Sequence, residues 1–400
     1  MPKLLILGAG YGGLAVAQKL DSLTGGRGTW QTTLVDQHDY HLVQIRVHEV
    51  AANSIPATKV KIPFEELLRH SNINFTQAYV TKIDPQAKQV ETSTGVFSYD
   101  KLVISLGSET TFRNIPGLQE NAFPMKTLAD AVNFRNAIIR AFKLATAEGQ
   151  APLQTDDPRL TFIIGGAGLT GTELAAELRD FCQDAVKRYR AAAGKWKIFL
   201  LDGADRILLQ LTPTNSEYVR ADLSRKGISI LTKAFVDHVE PGVLYLKDGR
   251  SLKGAVICWA GGIKAPAILA ESGFEVGKEG RLEVDQYLRC KQFPDVYALG
   301  DIALIADSRN NHLIPQTGQY AENQGDYLGE AFYDLARGFQ AQPYRPFSLG
   351  VAVSLGRSEA LALSGPLKLV GIPGRLAKNV SYDKYEWSIR TKASFLKDLA

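Results

Sequence analysis

Two segments of the sequence carry glycines at the same spacing, Gly-x-Gly-x-x-Gly, in the same local setting. These glycines are Gly8, Gly10 and Gly13 in the first segment and Gly166, Gly168 and Gly171 in the second. Each segment reads as a short apolar strand, the glycine loop, and a helix with Ala and Leu at helical spacing. Such a loop lets the backbone approach a pyrophosphate, and the start of the helix offers free N–H groups to the phosphates. The repeat therefore predicts two dinucleotide-binding sites.

An acidic residue follows each loop at the end of a second apolar strand. Asp36 ends the segment TTLVD, and Asp202 follows the segment KIFLL. An acid at this place, normally about 20 residues beyond the loop, accepts hydrogen bonds from ribose hydroxyls. The gap is somewhat longer in both copies, but we predict Asp36 and Asp202 as the ribose ligands.

The parallel between the two copies continues beyond these acids. Each copy goes on to alternating strands with turns at Pro and Gly, and then to a buried strand that closes on glycine. The closing glycines are Gly107 in the first copy and Gly261 and Gly262 in the second. The predicted fold is α/β, with two Rossmann-like dinucleotide-binding domains in a glutathione-reductase-like architecture and a C-terminal extension. We expect a discontinuous first domain (1–118 and 263–340), a second domain (119–262) and a C-terminal segment (341–400).

The segment YALGD, which ends at Asp301, distinguishes the two nucleotide sites. It resembles the second flavin motif of flavoproteins with two dinucleotide folds, in which the Asp bonds the ribityl chain of FAD. We therefore assign FAD to the first loop, with Asp36, Gly107 and Asp301, and the nicotinamide cofactor to the second. The anionic Asp202 disfavours a 2′-phosphate, so we expect NADH rather than NADPH, although Arg206 is close enough in sequence to weaken that preference.

Composition excludes several other classes of protein. The net charge of +4 and the lack of a Lys/Arg run argue against nucleic-acid binding. No run of about 18 apolar residues predicts a membrane span, and the glycines near the N-terminus argue against a signal peptide. The cysteines Cys182, Cys258 and Cys290 are far apart, and the histidines are scattered, so no metal site is predicted.

With the flavin motif placed, the chain resembles the type II NADH:quinone oxidoreductases over roughly residues 3 to 365. The resemblance rests on ILGAGYGG, VDQHDYH, LGSETTFRNIPGLQENAFPMKTLADA, GGAGLTGTELAAEL, CWAGG, ALGD and VAVSLGR. It implies that NADH gives a hydride to FAD, which passes two electrons to a membrane quinone without proton pumping. It further implies peripheral attachment to the cytoplasmic face of a membrane, and a homodimer.

Two candidate catalytic residues follow from the resemblance. Glu173 matches the family's glutamate near the flavin and nicotinamide, a candidate for proton handling; the alternative is a first-turn glutamate that complements the helix dipole. Glu177, one turn on, is interpreted as structural. Gln319 matches the first glutamine of the family's quinone-side motif AQxAxQ, although Gly318 and Asn323 depart from that motif. We expect Gln319 at the start of a helix running from about Thr317 to Ala336.

The tail, residues 375 to 399, is basic and carries Trp and Tyr, which is compatible with a helix on a membrane surface or with one packed on the body or a dimer partner. A soluble NADH-dependent reductase of an electron-carrier protein remains an alternative function, and residues 315 to 325 with the tail would distinguish it. A redox sensor of NADH and FAD is a non-enzymatic alternative. A disulfide reductase or a sulfide:quinone oxidoreductase is disfavoured, because no suitable cysteine pair is present.

Overall fold

The computed structural model describes residues 1–25, 29–147, 151–190, 195–310 and 312–391 of the 400. Its helices are α1 Tyr11–Thr24, α2 Val47–Ala51, α3 Phe64–Leu68, α4 Leu118–Asn121, α5 Leu128–Ala145, α6 Leu169–Tyr189, α7 Pro213–Arg225, α8 Ile268–Glu271, α9 Gly318–Ala336 and α10 Ile372–Thr391. Its strands are β1 Lys3–Leu7, β2 Gln31–Asp36, β3 Tyr40–Leu42, β4 Lys61–Pro63, β5 Asn74–Gln77, β6 Val80–Asp84, β7 Gln89–Thr92, β8 Gly95–Ser98, β9 Lys101–Ile104, β10 Glu109–Thr110, β11 Phe123–Pro124, β12 Thr161–Gly165, β13 Lys197–Leu201, β14 Ile228–Leu231, β15 Val236–Glu240, β16 Val243–Leu246, β17 Ser251–Lys253, β18 Val256–Trp259, β19 Ile263–Lys264, β20 Leu282–Glu283, β21 Val296–Ala298, β22 Ala303–Leu304, β23 Val351–Ser354, β24 Ala360–Ser364 and β25 Leu367–Gly371.

Two five-stranded parallel sheets of matching topology form the body. The first has the order β21-β9-β1-β2-β5, and the second has the order β11-β18-β12-β13-β14. The central strands β1 and β12 are almost wholly buried, as expected for continuous apolar runs in a parallel sheet covered on both faces. The chain leaves the first sheet after β9, builds the second, and returns to add β21. The predicted α/β fold with two Rossmann-like units is confirmed.

Each parallel sheet has a three-stranded antiparallel partner. The strands β6-β7-β8 come between β5 and β9 of the first unit. The strands β15-β16-β17 come between β14 and β18 of the second unit, which is the same place in the repeat. A short antiparallel ribbon, β10 with β19, lies where the chain crosses between the two units. The repeat found in the sequence is therefore a repeat of structure.

The C-terminal part packs on this body as a small antiparallel sheet, β23-β24-β25, followed by α10. The Nε2 atom of Gln18 on α1 donates a hydrogen bond of 2.7 Å to the carbonyl of Ile389 on α10. The tail thus forms a helix that packs on the body through residue 391, and the rest of it lies outside the described residues. Across the described ranges, we find no helix that combines the length and apolarity needed to cross a bilayer.

Candidate functional site

The two glycine loops have the same geometry at the carboxyl ends of β1 and β12. Gly8 and Gly166 have φ angles of +89° and +99°, a region that L-residues rarely adopt. A Cβ atom added to Gly8 would lie 2.3 Å from the carbonyl oxygen of Ser105, and one added to Gly166 would lie 2.5 Å from that of Ala260. Both positions therefore require glycine, and each loop leads into a helix, α1 or α6, whose first N–H groups face outward from the sheet edge.

The remaining loop glycines complete each cradle. Gly13 and Gly171 lie against the carbonyls of Gly8 and Gly166, so that helix and strand pack closely. Gly10 and Gly168 are the N-cap residues of α1 and α6. A Cβ added to either of these would meet no protein atom within 4 Å, so this side of each loop is open. The geometry fits a dinucleotide pyrophosphate at both helix N-termini.

Asp36 and Asp202 brace their own loops, a role that sequence reasoning did not foresee. One carboxylate oxygen of Asp36 accepts a 2.7 Å hydrogen bond from the N–H of Ala9, and the other accepts one from His38. Asp202 accepts in the same way from Ala167 at 2.7 Å and from Ala204. Burial raises the pKa of Asp36, and these N–H groups partly oppose that rise. Each acid therefore positions the loop as well as lying where a ribose is expected.

The guanidinium of Arg206 is bound to the backbone of its own loop. Its guanidinium donates to three backbone carbonyls of the following loop, those of Leu208, Leu209 and Leu211. The side chain is therefore held by its own loop.

Asp301 lies at the end of β21, close to the first glycine loop. One of its carboxylate oxygens accepts a 2.5 Å hydrogen bond from the Ser108 hydroxyl, and Ser108 directly follows Gly107, which has a φ of +70°. The Asp301 carbonyl accepts from Gln316, and the Gly300 N–H donates to Gln324. These bonds fix the Gly-Asp motif between β9 and the start of α9, where the ribityl chain of FAD is expected.

Gly261 and Gly262 lie at the corresponding end of β18, at the crossing between the two units. The ring of Trp259 packs directly under Gly261, and the carbonyl of Gly261 accepts a 2.9 Å hydrogen bond from Arg113. Gly262 has a φ of +143° and accepts a hydrogen bond from the Thr111 N–H. The two glycines thus form the turn that leads the chain back toward the first unit.

The helix expected after Pro315 is confirmed as α9, with Thr317 as its N-cap. Gln319 lies in its first turn, and its side-chain oxygen accepts hydrogen bonds from Ser348 at 2.9 Å and from the Leu349 N–H at 3.2 Å. Ala321 and Leu328 are buried, whereas Ala331 is only half-buried. Gln319 therefore connects the start of α9 to the segment that precedes β23, in which Phe347 and Leu349 are exposed apolar residues.

Glu173 is buried on α6 and ion-paired with a residue of the tail. The ammonium of Lys378 on α10 contacts one oxygen of the Glu173 carboxylate, and the Ser354 N–H donates to the same oxygen at 2.9 Å. Burial alone would raise the pKa of Glu173, but Lys378 and His48 outweigh it, so this pKa lies below its ordinary value. Glu173 is thus a buried carboxylate paired with the Lys378 ammonium. A glutamate that only complements the helix dipole would need neither burial nor a paired cation.

A second group of buried charges surrounds this pair. The ring nitrogens of His48 lie 3.8 Å from Glu173 and 3.7 Å from Glu177. Arg375 bonds Glu49 at 2.7 Å and Glu177 at 3.3 Å, so the interpretation of Glu177 as structural agrees with its contacts.

The ligand atoms of His48, Glu49 and Glu177 lie within 4.8 Å of one another, close enough for a metal ion in principle. However, Arg375 neutralises Glu49 and Glu177, and Arg46 bonds Glu49 at 2.7 Å. The arrangement is therefore an ion-pair network, in which a metal would have to displace a guanidinium.

The C-terminal helix also reaches the first glycine loop. The ring of Tyr385 on α10 stacks on that of Tyr11, the first residue of α1, with ring centroids 4.8 Å apart. The Tyr385 hydroxyl lies 2.8 Å from one ring nitrogen of His41, whose other nitrogen lies 3.2 Å from the carbonyl of Ala9. Burial lowers the pKa of His41 to about 4, so the ring is neutral at physiological pH. The tail therefore contacts both nucleotide-binding units.

Sequence reasoning missed most of these charged and aromatic partners. The sequence marks Arg375 and Lys378 only as basic residues of a tail that lies on a membrane surface or packs on the body or a dimer partner, and in the structure Lys378 is only 3% exposed. The sequence does indicate that these two residues share one face of a helix, because they lie three positions apart. The identity of their partners depends on long-range packing of α10 against α2 and α6, which a single sequence does not encode locally.

The three cysteines are buried, and none forms a disulfide. Burial raises the pKa of the Cys182 and Cys258 thiols, which keeps them protonated and unreactive. None of them lies at either glycine loop, so dithiol chemistry beside a flavin has no structural support in this chain.

Comparison with known proteins agrees with this geometry. A type II NADH:quinone oxidoreductase from Staphylococcus saprophyticus is 29% identical over 364 residues, which cover 90% of this chain and 89% of that protein. The structure of NDH2 from Plasmodium falciparum in complex with NADH matches 99% of this chain and 97% of its own, with a TM-score of 0.87 and 17% identity. The sulfide:quinone oxidoreductase of Aquifex aeolicus matches 98% of this chain and 92% of its own, with a TM-score of 0.79 and 18% identity. The family model for pyridine nucleotide-disulphide oxidoreductases matches residues 2–325, and the chain belongs to that family.

Proposed function

We propose that the protein oxidises NADH through a bound FAD and passes the electrons to a quinone. FAD, when bound, accepts a hydride from NADH and releases two electrons to the second substrate. Relatives that are 28% and 29% identical to this chain carry the name of this activity, and the two cradles fit the two nucleotides. The observation that carries the proposal is the start of α9, where Gln319 lies beside the exposed apolar residues Phe347 and Leu349.

In this proposal the chain supplies position and charge. Gly8 to Gly13, with Asp36 and Asp301, hold FAD, while Gly166 to Gly171, with Asp202 and the turn at Gly261, hold NADH. The N-terminus of α9 presents its positive dipole end toward the flavin motif, which favours the negative charge of reduced flavin. The exposed apolar side chains Phe347 and Leu349 beside this helix suit a quinone ring better than the charged surface of a carrier protein.

Glu173 is the group we propose for proton handling. The overall reaction, NADH + H⁺ + quinone → NAD⁺ + quinol, takes up one proton in addition to the hydride. Glu173 is a buried carboxylate at the second nucleotide helix, and Lys378 and His48 are its nearest charged or titratable partners. Because Lys378 keeps the Glu173 carboxylate ionised, Glu173 can accept a proton only transiently during turnover and does not store one between turnovers.

Replacing Gln319 with Ala tests where the quinone docks. We expect flavin reduction by NADH to stay near the parent rate and reoxidation by a menaquinone analogue to slow roughly 10-fold, as expected when one hydrogen bond is lost at a binding site. Stopped-flow absorbance of the flavin separates the two half-reactions. Ser348→Ala is the matched control, because it removes the contact to the loop but keeps the Gln319 amide. Unchanged reoxidation in Gln319→Ala, or equal slowing in Ser348→Ala, would place the acceptor elsewhere.

We also propose that the protein binds a membrane surface through an apolar patch formed by Leu367, Val370, Ile372, Leu376 and Val380. All five side chains are exposed, between 39% and 64%, and they are continuous from β25 into the first turns of α10. The last three fall on one face of the helix at a spacing of four residues. An apolar surface of this kind marks an interaction site, and interfacial helices insert such a face between lipid headgroups.

The double variant Leu376→Gln/Val380→Gln tests this patch. We expect its affinity for anionic lipid vesicles to fall on the order of 10- to 100-fold, because each side chain gains about 1 kcal/mol or more on burial. The double variant Leu144→Gln/Val96→Gln, which makes the same two kinds of change at exposed positions of α5 and β8, serves as the control. Vesicle flotation measures binding, and analytical ultracentrifugation measures assembly. If the double variant binds vesicles like the parent but loses a dimer, the patch is the interface of the expected homodimer instead.

A further inference from the structure

Lys126 places an ammonium group beside the flavin motif from a different part of the chain. Its Nζ atom donates to the Ser108 hydroxyl at 2.6 Å and lies 3.1 Å from a carboxylate oxygen of Asp301. Ser108 donates to that same oxygen. Lysine, serine and aspartate thus form a closed triangle, and the Lys126 and Asp301 side chains keep about a fifth of their surface exposed.

Both the N–H and the carbonyl of Lys126 are hydrogen-bonded, which fixes the position of its backbone beside Asp301. The Lys126 N–H donates to Asp130 at 3.0 Å, and its carbonyl accepts from Gln44 at 3.3 Å. Asp130 also closes the capping box of α5 with Thr127. The lysine therefore lies at a fixed point between β11 and α5, directly before the first turn of that helix.

This location also connects the two nucleotide-binding units. The strand before Lys126, β11, pairs with β18 in the second sheet, whereas Asp301 follows β21 of the first sheet. The ion pair therefore spans from one unit to the other at the place where FAD is expected.

The charges around Asp301 indicate what the ammonium binds. Arg281 is a second cation close to Asp301, but it is almost fully buried and has its own carboxylate partner, Glu279, at 3.5 Å. Among the described residues, Asp301 is the only carboxylate with an ion pair to Lys126. The Lys126 side chain is more exposed than that of Arg281, so its ammonium can reach a second anion while it stays paired with Asp301. The diphosphate is the nearest anion in FAD, because it directly follows the ribityl chain.

We propose that Lys126 is a cofactor-binding residue whose ammonium pairs with the diphosphate of FAD while it remains hydrogen-bonded to Ser108. This inference rests on the assignment of FAD to the first loop, which is part of the proposed function. It adds a charged contact from the second unit to a site otherwise built from backbone N–H groups and acids. A point charge of this kind stabilises phosphate by charge-assisted hydrogen bonding.

Titration of the apoprotein with FAD tests the proposal, and it needs neither NADH nor a quinone. Lys126→Met should weaken FAD binding roughly 10- to 100-fold, the range expected for one hydrogen bond to a charged group. Lys126→Arg should restore most of the affinity, since it keeps the charge. Lys143→Met, a change at an exposed lysine of α5, should bind FAD like the parent. Thermal melting of the apoproteins separates loss of binding from loss of folding.

The midpoint potential of the bound flavin gives a second readout. A cation at the diphosphate is far from the redox-active ring, so the potential of Lys126→Met should equal that of the parent. A shifted potential with unchanged affinity would place the ammonium at the ring and overturn the proposal, as would unchanged FAD affinity. If Lys126→Met does not fold, the comparison of Lys126→Arg and Lys126→Gln decides, because only the former keeps the charge. Failure of the parent apoprotein to bind FAD would instead contradict the proposed function.

Discussion

Gly166→Ala should give a yellow protein that NADH cannot reduce. Alanine at a φ of +99° is strained, and its Cβ would lie 2.5 Å from the carbonyl of Ala260. Together these effects cost about 3 kcal/mol, enough to weaken NADH binding at least ~100-fold once the loop shifts. The first glycine loop is untouched, so FAD should remain bound. Flavin absorbance gives the FAD content, and anaerobic titration with NADH measures the loss.

Gly8→Ala is the matched variant at the other loop, with the same kind of clash against Ser105. It should give an apoprotein that purifies colourless yet still binds NADH, measured by calorimetry. The two variants therefore assign each nucleotide to its loop. A colourless Gly166→Ala protein, or a yellow Gly8→Ala protein that has lost NADH binding, would reverse the assignment.

Lys378→Met should lower the free energy of unfolding by about 3–5 kcal/mol, because it leaves the Glu173 carboxylate buried without its cation. The double variant Lys378→Met/Glu173→Gln should recover most of that loss, since no unpaired charge remains. Lys384→Gln on the same helix is the control and should change stability little. Urea unfolding followed by circular dichroism measures all four proteins. Equal losses in the single and double variants would show that the cost comes from packing instead.

The effect of Lys378→Met should also depend on pH. The pKa of Glu173 lies below its ordinary value of 4.5, so the ion pair stabilises the fold fully above about pH 4.5. As the pH falls through the lowered pKa, the carboxylate is protonated and the stabilisation is lost. Without Lys378, burial raises the pKa of Glu173 in the variant. The difference in stability between the parent and Lys378→Met should therefore be largest where Glu173 is ionised in both proteins, and it should begin to shrink above pH 4.5 as the pH falls.

The body of the fold could be predicted because its signals are local. A buried parallel strand, a glycine turn and an amphipathic helix each have a sequence pattern, and the two copies supported each other. The same holds for α9, where Pro315 and the capping Thr317 mark the start of the helix. The positions of Gly8, Gly166 and Asp301 at the carboxyl ends of strands follow from these elements alone.

The tail could not be predicted in the same way. Its basic and aromatic residues are as compatible with a membrane surface as with a protein core. Only the structure shows which of them are buried and which are exposed. Lys378 and Tyr385 turn inward to Glu173 and Tyr11, whereas Leu376 and Val380 turn outward. Contacts between residues more than 200 positions apart, such as Glu173 with Lys378, leave no periodic signal. The helix thus packs on the body through one face and leaves apolar side chains exposed on another.

The central claim is that FAD at the first loop carries electrons from NADH to a quinone. Its most direct test is a double-mixing stopped-flow measurement on the parent protein under anaerobic conditions. NADH is added first, and a menaquinone or ubiquinone analogue follows. We predict that NADH bleaches the flavin absorbance and that excess quinone restores it within the turnover time of the enzyme. If the flavin is bleached by NADH and stays reduced in the presence of every quinone, the account is contradicted, and an electron-carrier protein becomes the acceptor to test.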